Sequence, residues 1–83
     1  MGKKQKLLRQ ILNNSKNVSF NDMVSLIESF GFTLSRINGS HHIYTHPNLA
    51  SLVNIQNFKG KAKAYQVRQF LDLVETHNLT LED

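Results

Sequence analysis

The run Arg36-Ile37-Asn38-Gly39-Ser40-His41-His42 sets two imidazoles directly behind a glycine turn. A side chain at the first positions of a strand after a turn is well ordered yet accessible. A neutral imidazole there can take the proton of an RNA 2′-hydroxyl. The oxyanion so formed would attack the neighbouring phosphate, with no metal and no cofactor. Arg36 and nearby lysines would offset the negative charge that develops on phosphorus. Gly39, with no side chain, lets backbone approach a substrate closely, and Ser40 shares that turn. The same residues also fit two half-exposed strand histidines that do no chemistry.

Two further patterns bear on binding. Lys59-Gly60-Lys61-Ala62-Lys63 alternates cations with small residues and leads into a helix, whose N-terminus itself attracts anions. Lys59, Lys61 and Lys63 are therefore candidate phosphate contacts, with Arg68 one helical turn further on. The alternative is a plain solvated loop. This is not a nucleotide-binding P-loop, because the GxxxxGK[ST] spacing is absent. Tyr44 and Tyr65 are candidates for stacking on bases, or else for the core. A metal site is disfavoured. His42 and His46 share a strand face but lie ~13 Å apart along it, and no cysteine or carboxylate stands near them in sequence. His77 reads as structural, because a cation is favourable near a helix C-terminus.

The elements that must hold these residues follow from periodicity. Leu7, Leu8, Ile11 and Leu12 recur at helical spacing over residues 3–13, and Asn13-Asn14-Ser15 stops the helix. Ser19 and Asp22 form a capping pair, with Val18 and Met23 in the staple positions around it. Phe20, Met23, Val24, Ile27 and Phe30 then share a helix face, and Gly31 ends it. Residues 32–37 and 41–45 alternate and are rich in β-branched and aromatic side chains. Asn38-Gly39-Ser40 between them signals a hairpin. Residues 52–56 make a third strand, and residues 57–63 an exposed basic loop. Val67, Phe70, Leu71 and Val74 place a last helix over residues 64–77, with Asn78 as its stop. The expected fold is α+β: a three-stranded antiparallel sheet with helices on one face and the other face free.

Composition agrees with this. The chain has 83 residues, enough for one domain and too few to enclose a large cofactor. It has no cysteine, which excludes a disulfide framework and Cys-based zinc or iron–sulfur sites. No apolar run approaches ~18 residues and no signal-type apolar stretch follows the basic N-terminus. No membrane association and a cytoplasmic home are therefore expected. Ten Lys and Arg oppose six Asp and Glu, a net charge of +4. The acids cluster in residues 22–28 and 72–83, so residues 29–71 hold Arg36, Lys59, Lys61, Lys63 and Arg68 without one acid. Segregation of this kind suits a polyanion, and nucleic acid is the commonest.

The order of a helix, Gly31-Phe32, Arg36, Gly39-Ser40-His41-His42 and then His46-Pro47 resembles the HicA toxins of bacterial type II toxin–antitoxin systems. The basic lead-in to the last helix fits the same pattern, and the resemblance covers residues 20–79. It implies a double-stranded-RNA-binding-domain-like α–β–β–β–α fold. It implies an mRNA interferase that cleaves RNA through a histidine of this motif, without a cofactor. It also implies a HicB-type antitoxin partner that covers the active site. The motif glycine corresponds to Gly39 and the catalytic histidine to His41 or His42, with His41 favoured by the family pattern. Two departures stand out. Many relatives carry histidine or proline at the end of the third strand, where this chain reads Ile55-Gln56-Asn57-Phe58. The basic helix at residues 3–13 is extra to the compact family form, so residues 1–17 read as an extension and 18–83 as the domain. The runner-up to an endoribonuclease is a non-catalytic RNA-binding module of the same fold, and a third reading is a protein-interaction domain.

Overall fold

Three helices and four strands follow one another as α1 (Lys3–Asn13), α2 (Phe20–Ser29), β1 (Thr33–Asn38), β2 (His41–Thr45), β3 (Val53–Phe58), β4 (Lys61–Ala62) and α3 (Ala64–Thr76). The computed structural model describes residues 3–81. Met1, Gly2, Glu82 and Asp83, the ends of the two expected segments, lie outside the described residues. The strands form one antiparallel sheet in the order β1-β2-β3-β4.

Local chemistry accounts for each boundary. The Ser19 hydroxyl accepts the Asp22 backbone N–H at 3.1 Å and so satisfies one orphan donor of α2. Val18 and Met23 are both buried on either side of that cap, as a hydrophobic staple requires. Gly31, at φ +92°, lets the chain leave α2 in a conformation that a side chain would oppose. Gly39 has φ +65° while Ser40 does not enter the left-handed region, the pattern of a two-residue II′ hairpin loop. Nothing lies within 4 Å of where a Gly39 Cβ would stand, so backbone conformation alone asks for glycine there. A bulge interrupts β1 between Leu34 and Arg36 and leaves Ser35 unpaired. Asn78, at φ +52°, ends α3.

The expected three-stranded sheet is corrected to four strands. β3 runs two residues past the expected end, and residues 57–63 form a tight hairpin rather than a loop, with residues 57–61 exposed as expected. Lys59 (φ 52°) and Gly60 (φ 83°) form its two-residue I′ turn. The Asn57 side-chain oxygen accepts the Gly60 N–H at 2.9 Å. Ala62 is buried, and its N–H donates to the Val18 carbonyl at 3.0 Å. The Phe20 N–H donates to the Gly60 carbonyl at 2.9 Å, so the entry to α2 closes the outer edge of β4.

The core lies between the sheet and its helices. Val53 and Ile55 of β3 are buried while Asn54 between them is exposed, so one face is covered and one is free. Phe70 of α3 packs edge-on against Phe30 and Phe32, with ring centroids 5.7 and 5.6 Å away. Ile11 of α1 belongs to the same buried cluster, and Leu7 and Leu8 pack against it. Gln66 is buried on α3, yet its oxygen accepts the Gln56 backbone N–H at 2.8 Å, just where β3 passes from β2 to β4. No helix among the described residues is long and apolar enough to cross a membrane.

Candidate active site on the open sheet face

Strand register sorts the motif. Asn38, His41 and Gln56 form one cross-strand row, and Arg36, Ile43 and Asn54 the next. Both rows lie on the open face, because Asn54 is exposed between buried neighbours on β3. Ile37, His42 and Ile55 form a row on the helix-covered face, as do Leu34, Tyr44 and Val53. The adjacent histidines therefore point to opposite sides of one sheet.

Their surroundings differ accordingly. His41 Nδ1 and Asn54 Oδ1 are 3.1 Å apart. With the Asn54 oxygen as acceptor, this pairing corresponds to the Nδ1-protonated tautomer, whose Nε2 lone pair is free. The His42 ring instead meets Phe20 edge-on, with centroids 4.7 Å apart. Its Nδ1 is buried without a hydrogen-bond partner, alone in this among the described side chains. An imidazole nitrogen in that state carries a desolvation cost of about 1–3 kcal/mol.

The binding candidates divide as well. Arg36 is exposed on the open face across from Ile43, and Gly39 and Ser40 form the exposed turn beside His41. Lys59 and Lys63 both reach over the Phe58 ring, with Nζ 5.5 and 5.4 Å from its centroid. The Lys61 ammonium donates to the Asn17 side-chain oxygen. Arg68 lies apart from these. It stands on α3 among Leu8, Leu12, Ser15 and Leu71, on the helix side of the molecule. Tyr44 is 2% exposed and belongs to the core, so it is no stacking surface, whereas Tyr65 is half-exposed on α3. Burial pushes the Tyr44 phenol above its ordinary pKa, and the Glu28 carboxylate adds to the shift.

His46 packs edge-on against Phe32 and accepts the Asn48 N–H on Nδ1. It is turned to the local turn rather than to His41. Among the described residues no three of His, Asp and Glu gather at metal-binding distances. Two members of the site lay outside the sequence reading. Asn54 had no local signal, since its partnership with His41 depends on the β2–β3 register. Phe58 had one: it is an aromatic residue inside a basic run.

The geometry thus joins an oriented imidazole to an arginine, an exposed ring and two lysines across one open sheet. No curated protein and no solved structure matches the chain. A family model described as HicA toxin of bacterial toxin–antitoxin matches residues 20–75, from the first residue of α2 to near the end of α3, leaving α1 outside. That match spans more than half of the chain, and the protein belongs to the HicA toxin family of bacterial toxin–antitoxin systems.

Proposed function

We propose that the chain is a metal-independent endoribonuclease that cleaves mRNA in the cytoplasm, with a HicB-type antitoxin as its partner and a dsRBD-like fold as its scaffold. The observation that carries this reading is the His41–Asn54 pair on the open face, 3.1 Å apart, which leaves His41 Nε2 free to accept a proton. In the reaction Nε2 takes the proton of a ribose 2′-hydroxyl. The 2′-oxygen attacks the adjacent phosphorus, and the bond from phosphorus to the 5′-oxygen breaks. The departing oxygen takes a proton from solvent. The products carry a 2′,3′-cyclic phosphate and a 5′-hydroxyl. Arg36 and the basic β3–β4 hairpin supply positive charge as the phosphorane gains negative charge.

A second reading makes His42 the base. It is favoured by the buried, unpartnered Nδ1 of that ring, since polar atoms left unpaired cluster at functional sites. One experiment separates the two. RNA is incubated in chelator with the wild type, His41→Ala and His42→Ala, and the cut ends are identified. Loss of cleavage in His41→Ala alone supports the first reading, and loss in a folded His42→Ala alone supports the second. Equal cleavage by all three, or RNA bound without any cut by the wild type, would falsify the nuclease assignment.

A further inference from the structure

Phe58 is 53% exposed at the end of β3. Alternation along β3 puts its ring on the same face as Asn54 and Gln56. Gln56 is the Cα partner of His41, so Phe58 stands two residues, ~7 Å, beyond the row that holds the imidazole. The core makes no use of this ring. Lys59 and Lys63 extend over it instead.

The backbone adds an independent observation. Lys59 holds φ 52° at the first position of the I′ turn, where asparagine or glycine sits with least strain. A lysine there costs ~1 kcal/mol. Charge points to the same ligand. The described acids, Asp22, Glu28, Asp72 and Glu75, all lie on α2 and α3, and none lies on the sheet. An exposed aromatic ring flanked by flexible cations on an acid-free face matches the chemistry of single-stranded nucleic acid. A π-face stacks on any base, and lysines take the phosphates on either side.

We infer that Phe58 is a stacking platform for an unpaired RNA base, with Lys59 and Lys63 swinging from the ring to the flanking phosphates. The position of that base next to the cut bond rests on the endoribonuclease reading, while the subsite itself does not.

The chain has no tryptophan, so Phe58→Trp installs a single indole at the subsite. The probe is a short 2′-O-methyl RNA oligomer, which lacks the attacking hydroxyl and cannot be cut. The expected result is saturable quenching of the indole by this oligomer and none by inorganic polyphosphate. Phe58→Ala weakens oligomer binding about tenfold with an unchanged salt slope, while Phe58→Tyr binds like the wild type. Unquenched indole, full affinity in Phe58→Ala, or full affinity in Phe58→Leu overturns the inference. Full RNA affinity with weakened antitoxin binding in Phe58→Ala likewise overturns it and makes the ring a protein contact. Cleavage of ordinary RNA is measured beside it. Quenching without cleavage retains the subsite and removes the nuclease, and His41-dependent cleavage without quenching does the reverse.

Discussion

His41 and His42 are neighbours in the chain and strangers in the fold. His41 stands in a row with Asn38 and Gln56 on the free face, its Nδ1 held by Asn54. His42 stands in a row with Ile37 and Ile55 on the covered face, its ring against Phe20. One step along the strand separates an imidazole on the open face, paired with Asn54, from one packed against Phe20 on the covered face. The lesson is that a paired motif on a strand does not act as a pair. The pleat divides it, and each half answers to different physics.

The largest expected effect tests the free face. His41→Ala should lower RNA cleavage by about 10²–10⁴-fold while the melting temperature changes little, because a general base contributes about that much and the side chain packs little. A melting point that falls together with activity breaks the contrast. On the covered face, Ile55→Ala should do the opposite. Ile55, the cross-strand neighbour of His42, is fully buried, and its truncation should cost about 2–5 kcal/mol in denaturant unfolding. Any activity lost should follow the folded fraction.

Smaller effects sharpen the same division. Asn54→Ala removes the oxygen that fixes the His41 tautomer and should slow cleavage about tenfold, the worth of one hydrogen bond, with stability unchanged. Lys59→Asn should raise stability by about 0.5–1 kcal/mol by relieving the left-handed lysine, yet weaken RNA binding and flatten its salt dependence. The smallest effect concerns Tyr44. Its folded pKa is raised, so the folded state holds its proton more tightly than the unfolded state. Stability is therefore lost as pH rises above ~10, the ordinary tyrosine value. Tyr44→Phe should lessen that alkaline loss and leave the neutral melting point within a few degrees, read by thermal melts across pH.

The sequence alone made several elements legible where a local rule governs. Ser19 and Asp22 start α2 because capping is decided within four residues, and α1 has the bounds that its leucine spacing predicts. The β1–β2 turn follows from Gly39 in the same way. Pairing across the sheet was not legible. Ile43 and Tyr44 gave conflicting signs of which face β2 buries, and only the register with Val53 and Ile55 resolves it. β4 was hidden because Lys59 occupies a turn position that normally carries asparagine or glycine. Ala62 also gave no sign that Val18 and Phe20 would close over that hairpin. At the candidate site, the histidines were visible as a motif, whereas Asn54 became a partner only when β3 was laid beside β2.

The bulge at Ser35 has a consequence for life in a crowded solution. The far side of β4 is closed by the entry to α2, which leaves β1 as the open border of the sheet. That border carries Leu34 and Ile37 at 44% and 56% exposure, the makings of a sticky seam between copies. Ser35 shifts the backbone out of register between them, so two such borders cannot zip together along their full length. The register shift thereby guards the sheet's open edge against edge-to-edge pairing.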